Sequence, residues 1–183
     1  LEGLMLISGE SVIEGSTIEG TKTGIEIRDR AEIELRGVKV KSGETGVKIE
    51  GTRKREFKGI EIESGEISIE TEGSEIEIRE SVIEGRGRIK GTGSIEIIDS
   101  EVGEIKAEGI GRAYVGESRI NAEMIEIGDS AELEIRGSEA ELEEGIEIAE
   151  HGKLMIRGSR IESGGYVVEH KGKEAVKIEG SEA

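Results

Sequence analysis

The chain has 183 residues, 42 of them acidic and 25 basic, and its net charge of −17 sets it against phosphate backbones and anionic membrane surfaces. Cysteine, proline and tryptophan are absent and aromatic residues make up 2%, which excludes disulfides, thiolate chemistry and cysteine-ligated zinc and leaves only aliphatic side chains to build a core. No apolar run approaches the roughly 18 residues of a membrane span, and Leu1-Glu2-Gly3 lacks the basic and hydrophobic regions of a secretory signal, so a soluble chain is expected, with an N-terminus that, lacking Met, has been processed or trimmed.

In chain order, the first segment holds Leu1, Leu4, Met5, Leu6 and Ile7 with little charge. Ile13 then opens a ladder that continues through Leu35, Phe57, Ile78, Ile97, Val115, Ile135, Ile156 and Ile178, at intervals of 22, 22, 21, 19, 18, 20, 21 and 22 residues. A near-constant period of this length means that one supersecondary unit repeats from end to end. Three residues after each ladder position lies a second ladder, Ser16, Val38, Ile60, Ser81, Ser100, Ser118, Ser138, Ser159 and Ser181, which fixes the phase independently. Two residues further on, a third ladder from Ile18 to Ala183 is apolar throughout.

Between the ladders the pattern is that of strands. Gly24-Ile25-Glu26-Ile27, Glu32-Ile33-Glu34-Leu35 and Glu75-Ile76-Glu77-Ile78 alternate apolar and charged side chains with a period of two, and this regularity weighs against the disorder that so high a charge content would otherwise suggest. Rung seven shows the whole unit: the strand Ile125-Glu126-Ile127, the turn Gly128-Asp129-Ser130-Ala131, the strand Leu133-Glu134-Ile135, and the corner Gly137-Ser138 leading into a third strand. The first strand aligns at 13 and 11 residues before the phase marker in Ile25/Ile27, Val47/Ile49, Ile105/Ala107, Ile125/Ile127 and Ile146/Ile148. Ile67/Ile69 sits one position early and Tyr166/Val168 two early, which places small insertions in the first turn.

Strands this short satisfy their backbone groups only by pairing with the same strand of the next rung. The expected fold is therefore all-β, a single solenoid domain over 1–183, with three parallel sheets and about nine rungs of 18–22 residues. At roughly 4.8 Å per rung it makes a rod about 43 Å long. The 29 glycines and the short alternations exclude a helical-repeat solenoid, and a sandwich or barrel would not hold one phase over nine units.

On these rungs, with three strands each and a Gly-Ser corner, the chain resembles the right-handed parallel β-helix class typified by pectate lyases. The resemblance covers essentially the whole chain but carries no catalytic motif. It implies a coil with inward stacks, and polysaccharide as the substrate class of its enzymes. The chain departs from that class in lacking asparagine ladders, aromatic stacks, an N-terminal capping helix and the long side loops that build a substrate cleft. Ile inside, Glu, Lys and Arg outside, one Asn (Asn121) and no Gln make it look like an idealised, designed sequence.

Several residues are candidates for chemistry, each with a plainer reading. Glu34, Glu56, Glu77 and Glu96 are expected to stack about 4.8 Å apart and could hold a cation or a sugar, but Arg36, Lys58 and Arg79 alongside would neutralise them. His151 and His170, in the first turns of rungs eight and nine, with Asp129 on the equivalent turn of rung seven, form a candidate zinc or nickel set; exposed turn histidines are the plainer reading. Tyr114, beside the glutamate column, could stack on a sugar ring, although a lone aromatic is a poor platform. The corner serines have no histidine beside them and read as turn-capping hydroxyls, and the glycines of Gly85-Arg86-Gly87 and Gly91-Thr92-Gly93 read as turn residues rather than a phosphate loop.

The expectation is a de novo designed structural scaffold whose purpose is the fold itself, without enzymatic activity, catalytic residue, resident metal or cofactor. Its alternatives are a natural β-helix that assembles end to end, as bactofilin-like proteins do, and a polysaccharide-binding or lyase-type β-helix. No nucleic-acid, membrane or other specific partner is expected. Self-association, where it occurs, is expected through Leu4 and Leu6 of the poorly protected first rung, since Lys171, Lys173, Glu174 and Lys177 guard the last.

Overall fold

The computed structural model describes residues 3–6, 8–28, 31–51, 53–91, 93–107, 111–128, 130–149, 151–172 and 176–181. Among them all regular structure is β: 22 strands, every paired one parallel to its neighbour, coil into a right-handed solenoid. One sheet holds nine strands, one per rung: Glu10–Glu14, Glu32–Arg36, Lys54–Lys58, Glu75–Arg79, Ser94–Ile98, Arg112–Gly116, Glu132–Arg136, Lys153–Arg157 and Val176–Glu179. The other two faces hydrogen-bond as one 13-stranded sheet. Long strands such as Val82–Gly91, Arg119–Ile127 and Glu139–Ile148 run across their common edge, and the register shifts inside them, for instance between Ala122 and Met124.

The ladders of the sequence are the stacks of the interior. Ile13, Leu35, Phe57, Ile78, Ile97, Val115, Ile135, Ile156 and Ile178 lie opposite one another rung after rung. So do Ile18, Val40, Ile62, Ile83, Val102, Ile120, Ala140 and Ile161; Ala183 is outside the described residues. From Leu35 to Ile156 the first stack is buried, while Ile178 in the last rung is half exposed. Period-two alternation is what sends each of these side chains inward and its charged neighbours out.

Each corner is made by one residue in the left-handed region, immediately before the phase position. Glycine fills it in six rungs, from Gly15 (φ 53°) to Gly180 (φ 56°), whereas Glu80 (φ 50°), Asp99 (φ 49°) and Glu117 (φ 51°) fill it in the other three. The turn aims the following serine into the wall of the coil. Ser81, Ser100, Ser118, Ser138 and Ser159 are buried, and their hydroxyls do more than cap a turn. Each donates to the carbonyl two residues back, as Ser81 does to Arg79 at 2.7 Å. Each also accepts the N–H of the preceding rung's phase residue at 3.2 Å, in an unbroken series from Ile60 to Ser181.

Two registers differ from the sequence expectation. In rung four it is Ile69 and Thr71, not Ile67 and Ile69, that lie opposite Val47 and Ile49, so the stretch leading to Ser81 is one residue shorter rather than longer. In rung nine Val168 and His170, not Tyr166 and Val168, lie opposite Ile146 and Ile148, which is the regular spacing without insertion. In both cases backbone pairing with the previous rung fixes the register, and a polar side chain occupies an inward position that apolarity alone would have denied it.

Candidate functional site

The outer face of the nine-stranded sheet carries three columns of side chains. The middle one reads Val12, Glu34, Glu56, Glu77, Glu96, Tyr114, Glu134, Met155 and Lys177, in register throughout. Tyr114 therefore stands in the glutamate column itself, between Glu96 and Glu134. Alongside it runs a groove of about 590 Å³, whose walls include Lys54, Glu77, Glu96, Tyr114, Lys153 and Lys177, a volume within the range of ligand sites.

The charges of this face are arranged in short chains. Lys54 donates to Glu77 at 2.6 Å, and Glu77 also holds Arg79. Both contacts keep the Glu77 carboxyl below the ordinary range, Lys54 contributing most. Glu132 bridges Lys153 at 2.8 Å and Arg112 at 3.0 Å and is held low chiefly by its hydrogen bond with Lys153. Arg36 pairs with Glu34, as the sequence suggested, and also with Glu14. Lys58 instead reaches Glu80 at 2.9 Å, and Glu56 is served by Lys54 at 3.7 Å. Glu179 on the same sheet and Glu63 elsewhere are also lowered, by hydrogen bonds from Lys177 and Lys41 respectively. These four carboxylates all shift toward the ionised form.

The Tyr114 ring is committed to packing. A Cβ added at Gly116 would lie 2.7 Å from its Cε1 and hydroxyl oxygen, so the ring covers the outward position where neighbouring rungs carry Ile98 and Arg136. An aromatic laid over a strand glycine restores the packing that the glycine lacks.

Of the three metal candidates, His151 and His170 lie among the described residues. His151 is exposed in a turn. His170 is not in a turn: it ends the strand Val168–His170, opposite Ile148, with its Nε2 buried and unbonded. Asp129 is outside the described residues. Groups of three or more His, Cys, Asp or Glu able to hold a metal do not occur among the described residues.

The most unusual side chain is one that the ladders passed over. Arg55, two residues before Phe57 on the strand Lys54–Lys58, points inward and is 3% exposed. Its Nη1 donates to the Arg53 carbonyl and to Ser74 Oγ, each at 3.0 Å, and its Nη2 to the Ala31 carbonyl at 3.3 Å. Its Nε is buried without a partner. Burial, and secondarily the charge of Arg53, lower its pKa, yet a guanidinium stays charged in a protein. The signal was present in the parity of the strand, since residue 55 shares a face with residue 57.

A family model described as right handed beta helix region matches residues 2–111. No curated protein and no solved structure matches the chain.

Proposed function

The chain belongs to the right-handed β-helix family, and within that fold we propose that it is a structural scaffold without catalytic activity. The packing of Tyr114 on Gly116 and the ion pairs of the groove carry this reading. Cleavage of a glycosidic bond by paired carboxyls needs one of them held protonated near neutral pH, whereas Glu63, Glu77, Glu132 and Glu179 are all driven toward the ionised form by lysine and arginine partners. In the groove beside Tyr114, Lys54 is engaged with Glu77 and Lys153 with Glu132, and the ring is laid on Gly116. Incubation with neutral and acidic polysaccharides, with and without calcium, is expected to give no new reducing ends, no unsaturated products and no thermal shift. Cleavage of any of them would overturn the reading.

The composition, one Asn and no Gln, Pro or Cys, supports a scaffold idealised by design. A second reading, a natural scaffold that stacks end to end, is favoured by particular residues. Idealised design keeps charge out of the core and non-glycine residues out of left-handed corners, which Arg55, Glu80, Asp99 and Glu117 contradict. Met5 and Val12 in the first rung and Ile178 in the last are the large apolar side chains left exposed among the described residues, and Ile178 and Ile13 belong to one stack. Filaments in negative-stain images would decide for this second reading.

A further inference from the structure

Arg55 lies at the junction of rungs two and three, where the ladder of the nine-stranded sheet is shortened. Glu10–Glu14 pairs with Glu32–Arg36 along its whole length, and Lys54–Lys58 does the same with Glu75–Arg79. Between these two pairs, Glu32–Arg36 and Lys54–Lys58 come together only from Glu34 and Glu56 onward. At the unpaired end the Ala31 carbonyl accepts from the Arg55 side chain instead. The junction thus buries a cation without a carboxylate, an orphaned Nε and a shortened ladder, each of which weakens cohesion there.

The surface of the same junction is different in character. Cations of rung two meet carboxylates of rung three: Lys41 Nζ lies 2.8 Å from Glu63, Lys22 and Arg28 lie 3.8 Å from Glu44 and Glu50, and Lys39 contacts Glu61. Glu32 and Arg53 form a fifth pair of reversed sense. These pairs are largely exposed, so salt screens them.

We propose that rungs one and two, residues 3–42, form a cap that opens as one unit at the Arg55 seam and whose closure is weakened by salt. In a solenoid each rung contacts only its neighbours, so a weak interface separates cooperative blocks. Opening brings Arg55 and the Ala31 carbonyl to water and uncovers the parallel edges of Thr45–Glu50, Lys54–Lys58 and Glu61–Ser64.

Hydrogen exchange read by mass spectrometry on the whole chain tests this. Peptides from residues 3–42 are expected to exchange as a block with one common protection factor, below that of rungs four to eight. Raising sodium chloride from 20 mM to 500 mM is expected to speed that block roughly fivefold with rungs four to eight little changed. Arg55→Leu is expected to slow it about tenfold by removing the buried charge. In the Glu34→Cys, Glu56→Cys double variant, whose positions face each other across the seam, oxidation is expected to abolish block opening and reduction to restore it. Protection that falls gradually from rung to rung, block exchange indifferent to salt and to Arg55→Leu, or opening that survives the cross-link would each overturn the proposal.

Discussion

Replacing Glu117 by glycine should stabilise this protein although it removes a side chain and adds no contact. Glu117 sits at φ 51°, at a corner that glycine fills in six rungs. The left-handed region costs a residue with a Cβ roughly 1–2 kcal/mol, and glycine's greater freedom in the unfolded chain takes back about 0.5–1 kcal/mol, which leaves a net gain of roughly 0.5–1 kcal/mol. The backbone bond from the Glu117 N–H to the Arg136 carbonyl, 2.9 Å long, is kept. Glu80→Gly should gain less because it gives up the pair with Lys58, and Asp99→Gly less because aspartate tolerates this region better. The converse variant is Gly37→Ala, at φ 57°, where an added Cβ meets nothing within 4 Å; its whole cost is backbone strain, about 1 kcal/mol. At this chain length 1 kcal/mol moves Tm by about 2–4 °C. Urea unfolding followed by far-ultraviolet circular dichroism, with m unchanged, measures both. A loss of stability in Glu117→Gly, or no change in Gly37→Ala, would show that the corners are held by something other than glycine's conformational freedom.

Ser118→Ala should cost about 1–3 kcal/mol in the same assay, because the buried N–H of Ser100 loses its acceptor; a neutral result would mean that the serine series is incidental to the wall. Acid should weaken the fold in a defined window. The native pKa values of Glu63, Glu77, Glu132 and Glu179 are depressed, so their contribution is present above the ordinary glutamate value of about 4.3 and is lost as pH falls below it toward the depressed native values. Thermal melts from pH 7 to pH 2 should therefore be flat to about 5 and then decline, and Glu77→Gln should flatten the decline. Leu4→Lys places a charge on the half-buried edge of the first rung and should abolish any concentration-dependent self-association seen by light scattering; an unchanged dimer would move the interface elsewhere.

The stacks were legible because a solenoid makes sequence distance and spatial neighbourhood coincide. Residues one period apart become neighbours, as Ile13 and Leu35 are, so a column in the structure is an arithmetic series in the sequence. The carboxylate column was legible for the same reason, although Tyr114, expected beside it, stands in it between Glu96 and Glu134. Its pairing was less so, since long flexible cations reach sideways or to the next rung: Lys54 serves both Glu56 and Glu77, and Lys58 passes Glu56 for Glu80. The two registers that differed, at Thr71 and His170, were hidden because an apolar residue was sought where backbone pairing had admitted a polar one.

The sequence by itself determined the period, the parity of inward and outward residues, the nine corners and the aliphatic character of the core, because each of these is a local alternation repeated at a fixed interval. Only the tertiary structure decided what lies between rungs. The serine hydroxyls act as cross-rung acceptors, the Tyr114 ring closes over Gly116, and the guanidinium of Arg55 reaches three rungs, from the Ala31 carbonyl in rung two to Ser74 in rung four. These contacts depend on the distance and direction between side chains of successive turns, which follow from how the coil closes and not from the order of residues along it.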